Sequence, residues 1–174
     1  MTIALNHVFS ELNTTEEHEV SYEIQAMDRL GKTYPVHCPT PFHIVLKNLD
    51  FGKAKLSLQG QAVYELPCDR CLSVTKVTVE IDSDFEIFSP GAIPDEESAE
   101  EQDFVEESVL NTDALIQKEI SLQWPMKVLC HEECKGICPV CGRNLNEGEC
   151  GCDTFVPDPR LAKLKDIFNQ KREV

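Results

Sequence analysis

The stretch KAKLSLQGQAVYELPCDRCLSVTKVTVEIDSDFEIF, residues 53–88, decides the fold. It holds two runs that alternate apolar and polar residues with period two, the pattern of half-buried strands. Ala54, Leu56, Leu58, Ala62 and Tyr64 share one face of the first run; Val77, Val79, Ile81, Phe85 and Ile87 share one face of the second. PCDRCLS stands between them and puts Cys68 and Cys71 at the tip of a hairpin. One register sets Lys53 opposite Glu86 and Lys55 opposite Asp84 on the polar face. The same register sets Ala54 opposite Phe85 and Leu58 opposite Ile81 on the apolar face. Opposite charges pair and apolar groups meet, so the register is self-consistent.

Working outward, two more runs share this period. Val20, Tyr22, Ile24 and Ala26 lie on one face of EVSYEIQAM (residues 19–27), and Phe42, Ile44 and Leu46 on one face of PFHIVLK (residues 41–47). Asp50-Phe51-Gly52 reads as the turn into the residue-53 strand. One solvated face per strand implies an antiparallel sheet or a partly open barrel. TDALIQKEISLQW, residues 112–124, reads as a helix capped by Thr112 or Asp113 and stopped by Pro125. DPRLAKLKDIFNQKRE, residues 158–173, reads as a second helix. There Asp158 caps, Pro159 fits the first turn, and Leu161, Leu164 and Phe168 form a stripe for the core. The expected fold class is α+β: an antiparallel, partly barrel-like sheet of amphipathic strands, two helices and a C-terminal zinc-knuckle lobe. Residues 1–93 would form the β domain with the CxxC tip and residues 94–110 a flexible acidic loop. Residues 111–174 would form a helix, the Cys-rich lobe and a C-terminal helix packed on the β domain. PDEESAEEQDFVEE, residues 94–107, carries eight acids and no base, a composition that resists burial.

The chain has 174 residues, a net charge of -15 and nine cysteines. Its N-terminus has no basic region and no long apolar run, and no stretch reaches the length of a membrane span, so a cytoplasmic, reducing setting is expected. The odd total argues against a purely disulfide framework, and clustered thiols in that setting point to metal. The charge is uneven: residues 1–124 carry 8 basic and 23 acidic side chains, and residues 125–174 carry 8 of each. The acidic part suits a basic protein partner, and the neutral part alone is compatible with close approach to nucleic acid.

Eight cysteines form four short-range pairs: Cys68/Cys71, Cys130/Cys134, Cys138/Cys141 and Cys150/Cys152. A zinc thiolate site takes four soft ligands, and two close pairs supply them with little loop entropy. CPVCG is a knuckle in which Gly142 permits the tight turn, and Cys150-Gly151-Cys152 completes a tetrahedron after a short loop. A second site would require Cys130 and Cys134 to fold back onto Cys68 and Cys71. One or two zinc ions are therefore expected. Three competitors stay open: a redox dithiol at CDRC, an iron–sulfur cluster, and a six-thiol cluster within residues 130–152. A thioredoxin-like CDRC is disfavoured by strands on both sides, and ferredoxin spacings are absent. Cys38 reads as a small buried hydrophobe. Phosphate loops, nucleophile elbows and paired helical histidines are all missing, so catalysis has no positive sign.

Taken together, PCDRCL between two amphipathic strands, then WPMKVLCHEECKGICPVCGRNLN, CGC and DPRLAKL, resemble the YceD family, the large ribosomal RNA subunit accumulation proteins. The resemblance spans roughly residues 20 to 168. It implies a non-enzymatic role in ribosome biogenesis, with large-subunit ribosomal RNA or a basic large-subunit ribosomal protein as partner. The CxRC element is more general in that family than the CPVCG knuckle, which puts weight on Cys68, Arg70 and Cys71. Arg70, Lys127, Lys135 and Arg143 would be the cations facing RNA.

Overall fold

The computed structural model describes residues 1–153 except 24, 30, 96, 97, 99 and 101. The chain runs β1 (Thr2–Ala4), α1 (Asn6–Ser10), β2 (Thr15–Val20), β3 (Ala26–Arg29), β4 (Lys32–His37), β5 (Phe42–Asp50), β6 (Lys53–Pro67), β7 (Val74–Phe88), β8 (Val105–Glu106), β9 (Val109–Asn111) and α2 (Thr112–Leu122). It is an α+β fold whose ladders are all antiparallel. The larger sheet has the order β2-β5-β6-β4-β3 and does not close into a barrel. Strand β6 is its spine. One edge of β6 pairs with β7 along all 15 residues, and the other is shared between β5 and β4. A small second sheet joins β1, β9 and β8.

Period-two burial is clean on β5 and β6. Phe42, Ile44, Leu46, Ala54, Leu56, Leu58, Ala62 and Tyr64 are all wholly buried. They face Val8 and Phe9 of α1 and Leu115, Ile116 and Ile120 of α2 in one core. The partner β7 turns Ile81 and Ile87 inward and leaves Val77, Val79 and Phe85 half-buried against that core. Gly52, at φ 73°, makes the expected turn between β5 and β6.

The β6–β7 register differs from the expected one by two residues. Lys53 lies opposite Phe88, Ala54 opposite Ile87, Lys55 opposite Glu86 and Leu58 opposite Ser83. A shift of two keeps every side chain on its face. The Lys53–Glu86 and Lys55–Asp84 ion pairs still form, each at 2.8 Å, but diagonally across the ladder. Long side chains span that diagonal, so charge pairing alone cannot fix the register. The tip does: Pro67 pairs with Val74, and the six residues between them close the turn.

The run at residues 19–27 is two strands, not one. β2 ends at Val20 and β3 begins at Ala26, which is exposed, and Ile24 lies outside the described residues. The chain leaves β5's edge there to form the β3–β4 hairpin, so its period-two pattern spans a break. At α2 the cap is Asn111, whose Oδ1 accepts from Ala114 N–H at 3.2 Å, rather than Thr112 or Asp113. Thr112 instead spends its hydroxyl on the carbonyl of Met1. The helix expected at residues 158–173 lies outside the described residues. Within the acidic stretch, buried Gln102 bonds both the N–H and the carbonyl of Phe88, at 2.9 and 3.2 Å, and Phe104 is buried.

Tyr64 ties β6 to the end of α2. Its hydroxyl donates to the carbonyl of Ile120 at 2.6 Å. That carbonyl belongs to the last turn, where no intrahelical N–H reaches it. Tyr64→Phe removes the donor and leaves a buried carbonyl unpaired, so stability should fall by about 1–2 kcal/mol in denaturant titration. A loss below the error of the titration would show that the carbonyl finds another donor.

Candidate metal centres

The hairpin tip is a knuckle. Leu72 N–H bonds to Cys68 carbonyl at 2.9 Å, and Cys68 N–H bonds to Ser73 carbonyl at 2.9 Å. The CPVCG segment repeats this geometry: Gly142 N–H to Cys138 carbonyl at 2.9 Å, and Cys138 N–H to Arg143 carbonyl at 2.8 Å. Both close through a residue with positive φ. In the second it is Gly142 at 73°, as glycine allows; in the first it is Leu72 at 62°. A bulky L-residue pays about 1 kcal/mol or more to stand there. No feature noted in the sequence marked this substitution, although a CxxC followed by leucine where its counterpart has glycine carries it.

The thiols gather into two quartets. Cys68, Cys71, Cys130 and Cys134 form one; Cys138, Cys141, Cys150 and Cys152 form the other. Within each, all four sulfurs lie within 4.8 Å of one another. Cys68 and Cys134 are 3.8 Å apart, and Cys71 and Cys130 are 3.6 Å apart. Sulfurs bound 2.3 Å from a tetrahedral zinc are about 3.8 Å apart, whereas a disulfide needs about 2.0 Å. The arrangement thus has the spacing of a tetrathiolate cage. It separates Cys130 and Cys134 from the other four thiols of their stretch, against a six-thiol cluster. The ninth cysteine, Cys38, is half-buried beside the core, and desolvation raises its pKa.

Electrostatics agree with the donor chemistry. The backbone N–H of Cys71 pulls Cys68 down to about 6 against the cost of desolvation. The N–H groups of Cys141 and Val140 do the same to Cys138, also to about 6. Cys130 is pushed up to about 12 by desolvation and then by its thiol neighbours. Cys152 is pushed up to about 12, first by Cys141 and then by Cys150. In the first quartet the Ser73 hydroxyl also lowers Cys71, so the hairpin-tip sulfurs ionise readily while Cys130 resists further negative charge; in the second, Cys138 ionises readily and Cys152 resists. A bound cation removes that resistance.

Around the first quartet the chain is clasped. Asp69 N–H donates to the carbonyl of Val128 at 2.8 Å, and Val128 N–H donates to Asp69 Oδ2 at 2.7 Å. Arg70 donates from Nη1 to the carbonyl of Cys134 at 2.9 Å. Asn146 Nδ2 donates to Cys134 Sγ at 3.2 Å. Such outer contacts orient ligand sulfurs. Gly136 passes so close to Arg70 that a Cβ would stand 3.2 Å from its carbonyl oxygen. Asn144 bridges the two centres, donating to Ser73 Oγ at 3.3 Å and pairing with Ile137. Neither Asp69 nor Asn146 was singled out from sequence, because their contacts cross some 60 or 12 residues. The first quartet is almost wholly buried; in the second, Cys141 is exposed. Of the four cations, Arg70 is engaged in the clasp, and Lys127, Lys135 and Arg143 are exposed on the surrounding loops. No helix among the described residues is long and apolar enough to cross a membrane.

The family model described as large ribosomal RNA subunit accumulation protein YceD matches residues 56–168. Uncharacterized proteins of Mycobacterium bovis and of two strains of Mycobacterium tuberculosis are 30% identical over 108 residues, covering 61% of this chain and 51% of theirs. The chain thus spans about half the length of the curated relatives it matches. No solved structure matches.

Proposed function

The chain belongs to the family of the large ribosomal RNA subunit accumulation protein YceD, and from that premise we propose a non-enzymatic ribosome biogenesis factor. It supports the accumulation or processing of large-subunit ribosomal RNA. The observation that carries the mechanism is the closed donor set: four thiols surround each centre, and a tetrathiolate zinc keeps no open position for a substrate. Cys68, Cys71, Cys130 and Cys134 would hold one zinc, whose bonds would crosslink residues 128–134 to the hairpin tip, and Cys138, Cys141, Cys150 and Cys152 would hold a second that fixes the loop beyond. The product is a rigid platform at one end of an acidic β domain, whose division at residues 1–93, 94–110 and 111–174 is part of the same reading.

The partner is pre-ribosomal RNA or a basic large-subunit ribosomal protein, met in the cytoplasm. Charge favours the protein. The chain carries -15, and residues 125–174 hold eight basic against eight acidic side chains, with no basic excess. Lys127, Lys135 and Arg143 then supply local contacts, not a phosphate-binding face. The same thiols would also hold iron, as in the redox or iron–sulfur reading; visible absorbance of the purified protein separates the two, since zinc has none.

The test is a strain lacking the protein. Large-subunit ribosomal RNA should fall relative to small-subunit RNA, and the intact gene should restore it. An unchanged ratio under growth-limiting conditions would overturn the reading.

A further inference from the structure

Leu72 stands in a left-handed conformation, φ 62°, with 64% of its surface exposed. The matching position of the other knuckle is filled by Gly142. Glycine would fit the tip with less strain, and the leucine side chain returns little burial within this chain. Strain of this kind persists where the surroundings impose it, and it points toward a role outside the fold. Its neighbours make the same point. Val74 is 71% exposed and pairs with exposed Pro67. Ile137 is 38% exposed and reaches this group through Asn144 and Ser73. The apolar tip is held by the first thiol quartet on one side and by the Ser73–Asn144 contact on the other, so it is fixed in shape.

We infer that Leu72, with Pro67 and Val74 at the same end of the hairpin, is the anchor by which the tip docks into an apolar pocket of a basic protein. The inference rests on the ribosomal reading above and names the surface it uses. The class of partner follows from two observations. Residues 125–153 carry no Phe, Tyr or Trp, and the one imidazole, His131, is a single small ring, so the lobe offers no aromatic platform for stacking successive bases. The whole chain carries -15, and residues 125–174 hold eight basic and eight acidic side chains with no basic excess, a balance that attracts a basic protein and repels phosphate. A small apolar knob ringed by charge is the usual anatomy of a protein contact.

The test uses the full chain loaded with metal and two probes. One is the RNA-free protein fraction stripped from purified large ribosomal subunits by concentrated lithium chloride. The other is protein-free large-subunit RNA. The intact chain should retain a basic protein from the first probe at physiological salt. Leu72→Gly should retain roughly tenfold less, Leu72→Met should retain it, and metal content should be the same in all three. Thermal stability of Leu72→Gly should equal or exceed that of the parent, because glycine relieves the tip. That pairing of weaker binding with undiminished stability is what a merely structural leucine cannot give. Equal retention by Leu72→Gly, or a loss of its stability, overturns the inference. Binding of the RNA alone, indifferent to Leu72, overturns it while leaving the ribosomal reading in place. Retention from neither probe counts against both.

Discussion

Cys68→Ser should purify with one equivalent of metal against an expected two for the parent, and its Cys-rich lobe should come loose from the β domain. The two quartets share no ligand. The second closes within residues 138–152 and keeps its four sulfurs when Cys68 is lost. The first joins the hairpin tip to a loop 59 residues further on, between Cys71 and Cys130. Closing so long a loop gains most from a metal clip. A structural zinc bound by cysteines contributes on the order of 10 kcal/mol to the fold it organises. A serine hydroxyl is a poor replacement for a thiolate, so the first centre should fail as a unit. What remains at the tip is the Asp69–Val128 clasp and the Arg70 bond, a few kcal/mol at most. Elemental analysis of protein purified without added metal or chelator reads the count. Limited proteolysis at residues 123–130 reads the detachment. Cys150→Ser is the control: it also loses one equivalent, yet the segment at 123–130 stays protected. Unchanged metal content in Cys68→Ser, or loss of both equivalents in either variant, would sink the two-centre account.

Much of this architecture is readable from residues because its signals are local. Period two on residues 42–46 and 53–66 reports the buried face directly, and CxxC pairs report metal-ligand spacing. What escapes is non-local. The β6–β7 register depends on how the knuckle closes, and ion pairs tolerate a two-residue error by reaching diagonally. The N-terminal β1, α1 and β2 carry weak patterns of their own. β1 is a strand because Val109–Asn111 lies beside it, and α1 is one short turn that buries Val8 and Phe9 against β5 and β6. The partition of six thiols in residues 130–152 between two centres is likewise fixed by tertiary contact. Asp69, Gly136 and Asn146 bring Cys134 to the tip, and none of them carries a motif.

Gly60 is the clearest case of a residue whose meaning lies in its neighbour. It falls on the inward face of β6, between Leu58 and Ala62, where a side chain would be expected. A Cβ placed there would stand 2.2 Å from Cδ1 and 2.5 Å from Cε1 of Phe42. Phe42 is wholly buried, so its ring has no free space to retreat into. Glycine inside a strand marks such a close approach. Elsewhere in a strand, Gly→Ala would restrict the unfolded chain and stabilise by about 0.5–1 kcal/mol. Here the clash should reverse the sign. Gly60→Ala should cost about 3 kcal/mol through overpacking, a fall in melting temperature of roughly 10 °C for a domain of this size. The partner is testable in the same experiment. Phe42→Leu removes the offending ring edge at a cost of its own, and the double variant should be more stable than the sum of the two losses by about 1–2 kcal/mol. Additive losses would place the strain somewhere other than the Gly60–Phe42 contact, and a Gly60→Ala protein as stable as the parent would mean that the ring moves freely. The contact matters beyond the core. Phe42 opens β5 and Gly60 lies on β6, the strand that carries the first knuckle at its far end. Misplacing β6 tilts the hairpin on which both Cys68 and Leu72 are mounted. Gly60→Ala should therefore weaken metal retention under mild chelation even though it lies in neither centre.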